Sequence, residues 1–363
     1  MSLPASIYHH RQQQLWDFDE LSELDAFLIT EPVHHRYLCG FSGSSAYLLL
    51  TREEAHLYTD GRYETQAAIE VRDSTVHIVQ DVLTEAVRER LPEGRRVGFE
   101  AERCTVGSSQ RLREANHLVT WRPVGPVLEL MRRRKDEGEK ESIARAIGIA
   151  EDALAEIARR IAPGQTEREV SGMLEERLRV GGSERLAFEP IVASGERGAL
   201  PHGRATDRVL RKGELVTLDF GAVYEGYHAD ITRTCFVGAP DDRLREVFNI
   251  VLEAQTIGRS QACAGMTGAD IDALCRDHIT QAGYGEYFIH RTGHGIGLSV
   301  HEAPYIVESN KEAIQPSMTF TIEPGIYLPG TGGVRIEDTV IMTEAGVESM
   351  TQSERNLIDM PRD

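Results

Sequence analysis

Short apolar runs set the rhythm of the first part of the chain. "AYLLLT" (46–51), "AHLYTD" (55–60) and "VHIVQ" (76–80) read as strands, and "TQAAIE" (65–70) and "LTEAVRERL" (83–91) as helices. Residues 1–125 are therefore expected to form a small α/β domain. The segment "RPVGPVLELMRRRKDEGEKE" follows, punctuated by Pro123, Gly125 and Pro126 and then rising in charge. This composition predicts a domain boundary, with a solvated linker over residues 126–140 that leads into a helix. From residue 141 the rhythm changes. Ile143, Ile147, Ala150, Leu154, Ile157 and Ile161 recur at spacings of four and three, the stripe of an amphipathic helix. Pro163-Gly164 stops that helix, and Thr166 with Glu169 makes a capping-box pattern for the next.

Residues 141–363 carry an internal repeat. "APGQTEREVSGMLEERLRVGG" (162–182) and "CAGMTGADIDALCRDHITQAG" (263–283) share the layout Gly-x-Thr, helix, Gly, with threonines 101 residues apart. "ELVTLDFG" (214–221) matches "MTFTIEPG" (318–325), which sets Asp219 equivalent to Glu323. Asp230 and Glu337 follow in the second strand of each unit, and His202 and His301 lie 99 residues apart. An offset near 100 residues, held in order across these landmarks, points to a duplicated half-domain with pseudo-twofold symmetry. A helical solenoid would repeat at roughly 20–50 residues instead.

The repeat concentrates acids. "LVTLDFGAVYEGYHADITRT" (215–234) reads as a hairpin, and a turn centred on Tyr224-Glu225 sets Asp219 opposite Asp230. Facing carboxylates with Cβ atoms roughly 5 Å apart repel one another unless they share a proton or a cation. Two solvated surface aspartates are the alternative. The second hairpin, "FTIEPGIYLPGTGGVRIEDTVIM" (320–342), adds Glu323 and Glu337. Four carboxylates at one pseudo-axis cannot be buried without positive charge. A pair of divalent ions about 3.5–4 Å apart would supply it. The donor types suit Mn, Co, Zn or Fe better than Ca or Mg.

An imidazole is available in "HRTGHGIGLSVHE" (290–302). The stretch is neither a dinucleotide fingerprint nor a P-loop, and it lacks the second histidine of a zincin. Its glycines are expected to let the backbone approach a site closely. His9, His10, His34 and His35 are expected at the surface. Alternation places His228 on the Asp230 side of its strand, where it can touch the rim of a site. A formal net charge of −18 argues against a nucleic-acid partner. No apolar run reaches 18 residues, so no membrane span is expected. The five cysteines (Cys39, Cys104, Cys235, Cys263 and Cys275) are scattered without a CxxC. With no signal-peptide core near the start, they suggest a reduced, cytoplasmic protein.

"PHGRAT", "LDFGAVYEGYHADITRT", "HRTGHGIGLSVHEAP", "TIEPGIY" and "GVRIED" together resemble the proline-specific branch of the creatinase-like, pita-bread metallopeptidases, which contains Xaa-Pro dipeptidase and aminopeptidase P. "YLCGFSGSSAYLLLTREEAHLYTDGRYETQA" (37–67) resembles that family's N-terminal domain. The resemblance implies an α+β fold, a pseudo-twofold pita-bread domain over residues 141–363 beside a smaller α/β domain. It implies two divalent ions, manganese foremost with cobalt or zinc as alternatives, held by Asp219, Asp230, His294, Glu323 and Glu337. Glu323 would also be the general base toward a metal-bridging water. His202 and His301 would stabilise the tetrahedral intermediate and the scissile carbonyl. His290 would contact substrate, and Arg335 would pair with the site carboxylates. Ser299 departs from the acid common in relatives, at a position without an assigned role.

The implied reaction is hydrolysis of the bond between an N-terminal residue and proline in small peptides, with dipeptides favoured over the longer substrates of aminopeptidase P. A homodimer is expected. Metal-free creatinase chemistry fits poorly, because all five ligands are kept. The same retention argues against a non-catalytic binding module. The N-terminal domain and the "GVRIED" context fit a methionine aminopeptidase poorly.

Overall fold

The computed structural model describes residues 6–88, 90–238 and 241–356. They form two compact units, one ending at Met131 and the other beginning at Arg132.

The first unit is built on a six-stranded mixed sheet. Its strands are β1 (Ala26–Ile29), β2 (Ala46–Leu50), β3 (Ala55–Thr59), β4 (Thr75–Ile78), β5 (Arg96–Glu100) and β6 (Thr120–Val124), in the order β4-β3-β2-β1-β5-β6. Strands β2, β3 and β4 and the helices at Glu64–Glu70 and Val82–Arg88 fall where the apolar runs predict them. Strand β1 carries no alternation because all four of its residues are buried. A continuous apolar run of that length cannot be told from a helix turn by period.

Helix Pro32–Cys39 corrects the expected exposure of two histidines. His34 and His35 are fully buried on its inner face. His34 Nδ1 bonds Glu100, and His35 Nε2 donates to the Ile29 carbonyl at 3.0 Å. Burial holds His35 neutral, with a pKa lowered to about 4.

The second unit holds four long helices, α1 (Glu137–Ile157), α2 (Glu167–Val180), α3 (Asp242–Gln261) and α4 (Gly268–Gln281). The predicted stripe of α1 is buried along its length, from Ile143 to Ile157. Helix α2 begins with the predicted capping box, Thr166 and Glu169 each reaching the other's backbone N–H. Thr267 and Asp270 repeat this arrangement at the start of α4.

The segment ahead of α1 departs from the solvated linker expected there. Residues Val127–Arg132 are helical, and Arg132 and Lys135 are buried. Both meet the buried Glu302 carboxylate, Lys135 Nζ at 2.8 Å, and Arg132 also donates to Ser299 Oγ at 2.9 Å. Charge density along the chain gave no sign of this, because the acid that neutralises the pair lies far away in sequence.

The duplication is visible in the sheets. Strands β7 (Ile191–Ser194), β8 (Leu215–Phe220) and β11 (Ile231–Phe236) pair in the order β11-β8-β7, and the tip of that hairpin continues as β9 (Val223–Tyr224) and β10 (Tyr227–His228). In the second copy the strands are β12 (Gly293–Gly295), β13 (Glu302–Ile306), β14 (Thr319–Ile322), β15 (Gly325–Leu328), β16 (Gly332–Arg335), β17 (Asp338–Thr343) and β18 (Gly346–Ser349). Their order is β13-β12-β14-β17-β18, with β15-β16 forming the hairpin tip. The copies meet where the Glu337 N–H donates to the Thr232 carbonyl at 3.1 Å. Phe236, Phe248, Val251, Ile271, Ile279, Phe320, Ile322 and Val340 pack α3 and α4 onto the sheets. Each such side chain contributes about 1.5–3 kcal/mol on burial.

Candidate functional site

Both hairpins break their ladders at the acids. In the first, Glu225 and Gly226 sit at the tip with φ of 46° and 76°. Two consecutive positive φ values define the type I′ turn that suits a two-residue hairpin. The turn thus lies one residue later than the centre expected at Tyr224-Glu225. Asp219 therefore pairs with Thr232 rather than with Asp230. Asp230 is the diagonal neighbour on the same face, so the two carboxylates still converge. In the second hairpin β14 ends at Ile322 opposite Asp338, and β15 begins at Gly325 opposite Arg335, which leaves Glu323 and Glu337 in the gap between the two ladders.

All nine sequence-derived candidates line one cavity of about 620 Å³: His202, Asp219, Asp230, His290, His294, His301, Glu323, Arg335 and Glu337. Donor atoms of Asp230, His294 and Glu337 lie within 4.8 Å of one another. His294 Nε2 is 3.6 Å from Asp230 Oδ2 and 3.4 Å from Glu323 Oε1. His294 Nδ1 faces the Gly295 carbonyl at 3.1 Å, which can only accept, so the proton sits on Nδ1 and the Nε2 lone pair points at the acids. Burial, and then the neighbouring His301, lower the His294 pKa to about 3. Asp219 is held by Arg335 Nη2 at 2.5 Å, and Glu337 Oε2 accepts from Thr232 Oγ1 at 2.6 Å.

These acids are poorly satisfied by protein alone. Among the described residues, Asp219 Oδ1, Asp230 Oδ1 and Glu337 Oε1 are buried without a hydrogen-bond partner. Burial and the neighbouring carboxylates drive the pKa of Asp230 and Glu337 well above the ordinary range. Glu323 rises to about 7, for burial first and with Asp219 adding to it against the opposing pull of Arg335. Orphaned carboxylate oxygens, gathered around a neutral imidazole with a free lone pair, are the donor set a divalent cation satisfies.

His202 and His301 open onto the cavity. The His301 ring meets His294 edge-on, with centroids 4.3 Å apart. His228 turns away from the cavity. It bonds the Gly297 carbonyl through Nδ1 at 3.0 Å and receives Arg185 at Nε2.

Gly293 and Gly295 of "HRTGHGIG" serve strand packing rather than approach to a cation. A Cβ on Gly293 would stand 1.8 Å from the Thr321 carbonyl oxygen, and one on Gly295 would stand 2.3 Å from that of Ala303.

One polar residue without an assigned role joins the site. Tyr327 Oη accepts from Arg335 Nη1 at 2.8 Å and donates to His290 Nε2 at 2.8 Å. His290 Nδ1 donates to the Arg291 carbonyl at 2.7 Å, which fixes the tautomer. Burial, followed by the Arg335 charge, lowers the His290 pKa to about 3, and burial raises the Tyr327 hydroxyl to about 12. The chain Asp219–Arg335–Tyr327–His290 thus runs from an acid to the cavity wall. Period-two spacing from Glu323 to Tyr327 was the available sequence signal. An aromatic on a strand reads as core by default, and so the signal passed unused.

Two duplicated carboxylate hairpins around a cavity suited to cations, in a chain that also carries a mixed-sheet domain, define a creatinase-like metallohydrolase. Residues 141–344 match the metallopeptidase family M24, and residues 11–134 match the creatinase/prolidase N-terminal domain. The chain belongs to metallopeptidase family M24, a membership that implies divalent metal ions. It is 41% identical to a solved structure of an Xaa-Pro dipeptidase from Bacillus anthracis, with a TM-score of 0.93 over 97% of this chain and 100% of that one. A solved X-Pro aminopeptidase from Thermotoga maritima is also 41% identical, with a TM-score of 0.88 over 96% of this chain and 98% of that one. An Xaa-Pro dipeptidase of Pyrococcus furiosus is 37% identical over 96% of this chain and 99% of its own length. Among the described residues no helix is long and apolar enough to cross a membrane.

Proposed function

We propose that the protein is an Xaa-Pro dipeptidase that hydrolyses the bond between an N-terminal residue and proline. The observation that carries the reading is the set of buried, unpartnered carboxylate oxygens facing a neutral His294 in one cavity. Asp219, Asp230, His294, Glu323 and Glu337 are the residues that would hold two divalent ions. Bound there, such ions supply Lewis acidity toward the scissile carbonyl and toward water. Glu323 takes the proton of the attacking water and passes it on toward the departing proline nitrogen. His202 and His301 open onto the cavity and donate hydrogen bonds to the oxygen on which negative charge develops. His290, held neutral and braced by Tyr327, contacts the substrate, and Arg335 fixes Asp219.

Manganese as the working metal, a homodimeric assembly and a cytoplasmic location belong to the same proposal. Five free cysteines support the last of these. The same proposal divides the chain into an N-terminal domain over residues 1–125 and a catalytic domain over 141–363, supported by family matches over residues 11–134 and 141–344.

Parallel assays of Xaa-Pro dipeptides and Xaa-Pro-Xaa tripeptides with Mn, Co and Zn test the function. Dipeptides are expected to turn over fastest, with Mn. The equal sequence identity to a protein named X-Pro aminopeptidase favours a second reading, and tripeptide rates comparable to dipeptide rates would establish it. Asp230→Ala is expected to abolish turnover and to lower metal content by elemental analysis. Retention of both would remove Asp230 from the site.

A further inference from the structure

A dipeptide ending in proline differs from a longer substrate by a free carboxylate at the far end. The cavity wall presents three guanidinium groups, from Arg204, Arg291 and Arg335. Arg335 is fully engaged by Asp219, Thr232, Tyr327 and the Pro201 carbonyl. Arg204 has a side chain 79% exposed and pairs with Glu189 at 3.1 Å. Arg291 differs from both. Its side chain is half-buried, and among the described residues its guanidinium takes no hydrogen bond and no ion pair. Its one anchor is the ring of Tyr305, over which it lies 4.9 Å from the centroid.

The anchor is well placed. Tyr305 stands opposite His294 in the β12–β13 ladder, and β13 begins immediately after His301. The stack therefore holds the cation on the strand pair that carries both histidines. A cation partly withdrawn from water and left without a counter-ion is costly, and an arriving anion relieves that cost. Stacking uses the flat face of the guanidinium and leaves its edge donors free to grip a carboxylate through two parallel hydrogen bonds.

We propose that Arg291, braced on Tyr305, receives the C-terminal carboxylate of the dipeptide and so sets the preference for dipeptides over longer chains. The proposal rests on the Xaa-Pro reading and names the residue that sets its length specificity. Lysine in its place keeps the charge but loses the fork and the stack.

The test compares an Xaa-Pro dipeptide with the same compound as its C-terminal amide, in the unaltered enzyme and in Arg291→Ala, Arg291→Lys and Tyr305→Ala. The readout is the ratio of kcat/KM for the dipeptide to that for the amide. In Arg291→Ala this ratio is expected to fall by about 10- to 100-fold, mainly through KM. Arg291→Lys is expected to recover part of it, and Tyr305→Ala to lower it less. A ratio unchanged in Arg291→Ala overturns the proposal, as does an equal loss on dipeptide and amide. Failure of the unaltered enzyme to cleave any Xaa-Pro compound overturns the Xaa-Pro reading, and the proposal with it.

Discussion

Tyr327 joins Arg335, and through it Asp219, to His290 with a single hydroxyl. Tyr327→Phe keeps the ring and removes that link. It leaves the buried His290 Nε2 without its hydrogen-bond donor and Arg335 with one acceptor fewer. A net loss of one such bond is worth about 1–2 kcal/mol, so kcat/KM is expected to fall about 10-fold with the fold retained. Steady-state kinetics beside circular dichroism measure this, and unchanged kinetics would show that the hydroxyl does not hold His290 for the reaction. At this scale repeated spacings in the sequence singled out the four acids with His202 and His301, and the family resemblance added His290 and His294. The sequence passed over Tyr327 and Thr232, whose residue types are ordinary in strands and whose part rests on a single hydroxyl each. It also put His34 and His35 at the surface, since polarity alone says nothing of a carbonyl or a carboxylate waiting inside.

The two interrupted hairpins are the elements that gather the acids, and their geometry depends on close backbone contact. A Cβ on Gly221 would stand 1.9 Å from the Ala229 carbonyl oxygen, at the break between Asp219 and Asp230. Gly221→Ala must therefore push the strands apart, at a cost of about 1–3 kcal/mol or more. The expected result is a lowered Tm together with loss of metal binding, read by calorimetry and elemental analysis. A variant with normal Tm and metal content would mean that the hairpin absorbs the methyl elsewhere. The hairpins were legible as elements because alternation and acids coincide in them. Their register was not legible to the residue. The Glu225-Gly226 turn became evident only from its two positive φ values, and moving the turn by one residue changed the partner of Asp219 from Asp230 to Thr232.

At the scale of the molecule, stability, metal and pH are linked. Burial raises Glu323 from its ordinary 4.5 to about 7, and raises Asp230 and Glu337 as well. A carboxyl whose folded pKa lies above its unfolded one contributes fully below the unfolded value, and that contribution is lost as pH rises through the folded value. For Glu323 the window runs from about 4.5 to about 7, and the shift corresponds to roughly 3 kcal/mol. Stripping divalent ions with a chelator is therefore expected to lower Tm more at pH 8 than at pH 5, with Mn restoring it. Calorimetry at the two pH values decides this, and an equal effect at both would sever the link.

Local pattern determined much of this protein by itself: the amphipathic helices and their caps, the duplication, the acidic hairpins and the two-part organisation with its family. Those features depend on spacing within a few residues, or on likeness between two stretches. Tertiary structure alone decided the diagonal placing of Asp219 and Asp230, the burial of Arg132 and Lys135 against Glu302, the Tyr327 relay, and the stacking of Arg291 on Tyr305. Each of these depends on which distant residue arrives alongside, and on whether water is excluded when it does. Neither is written in any single stretch of the chain.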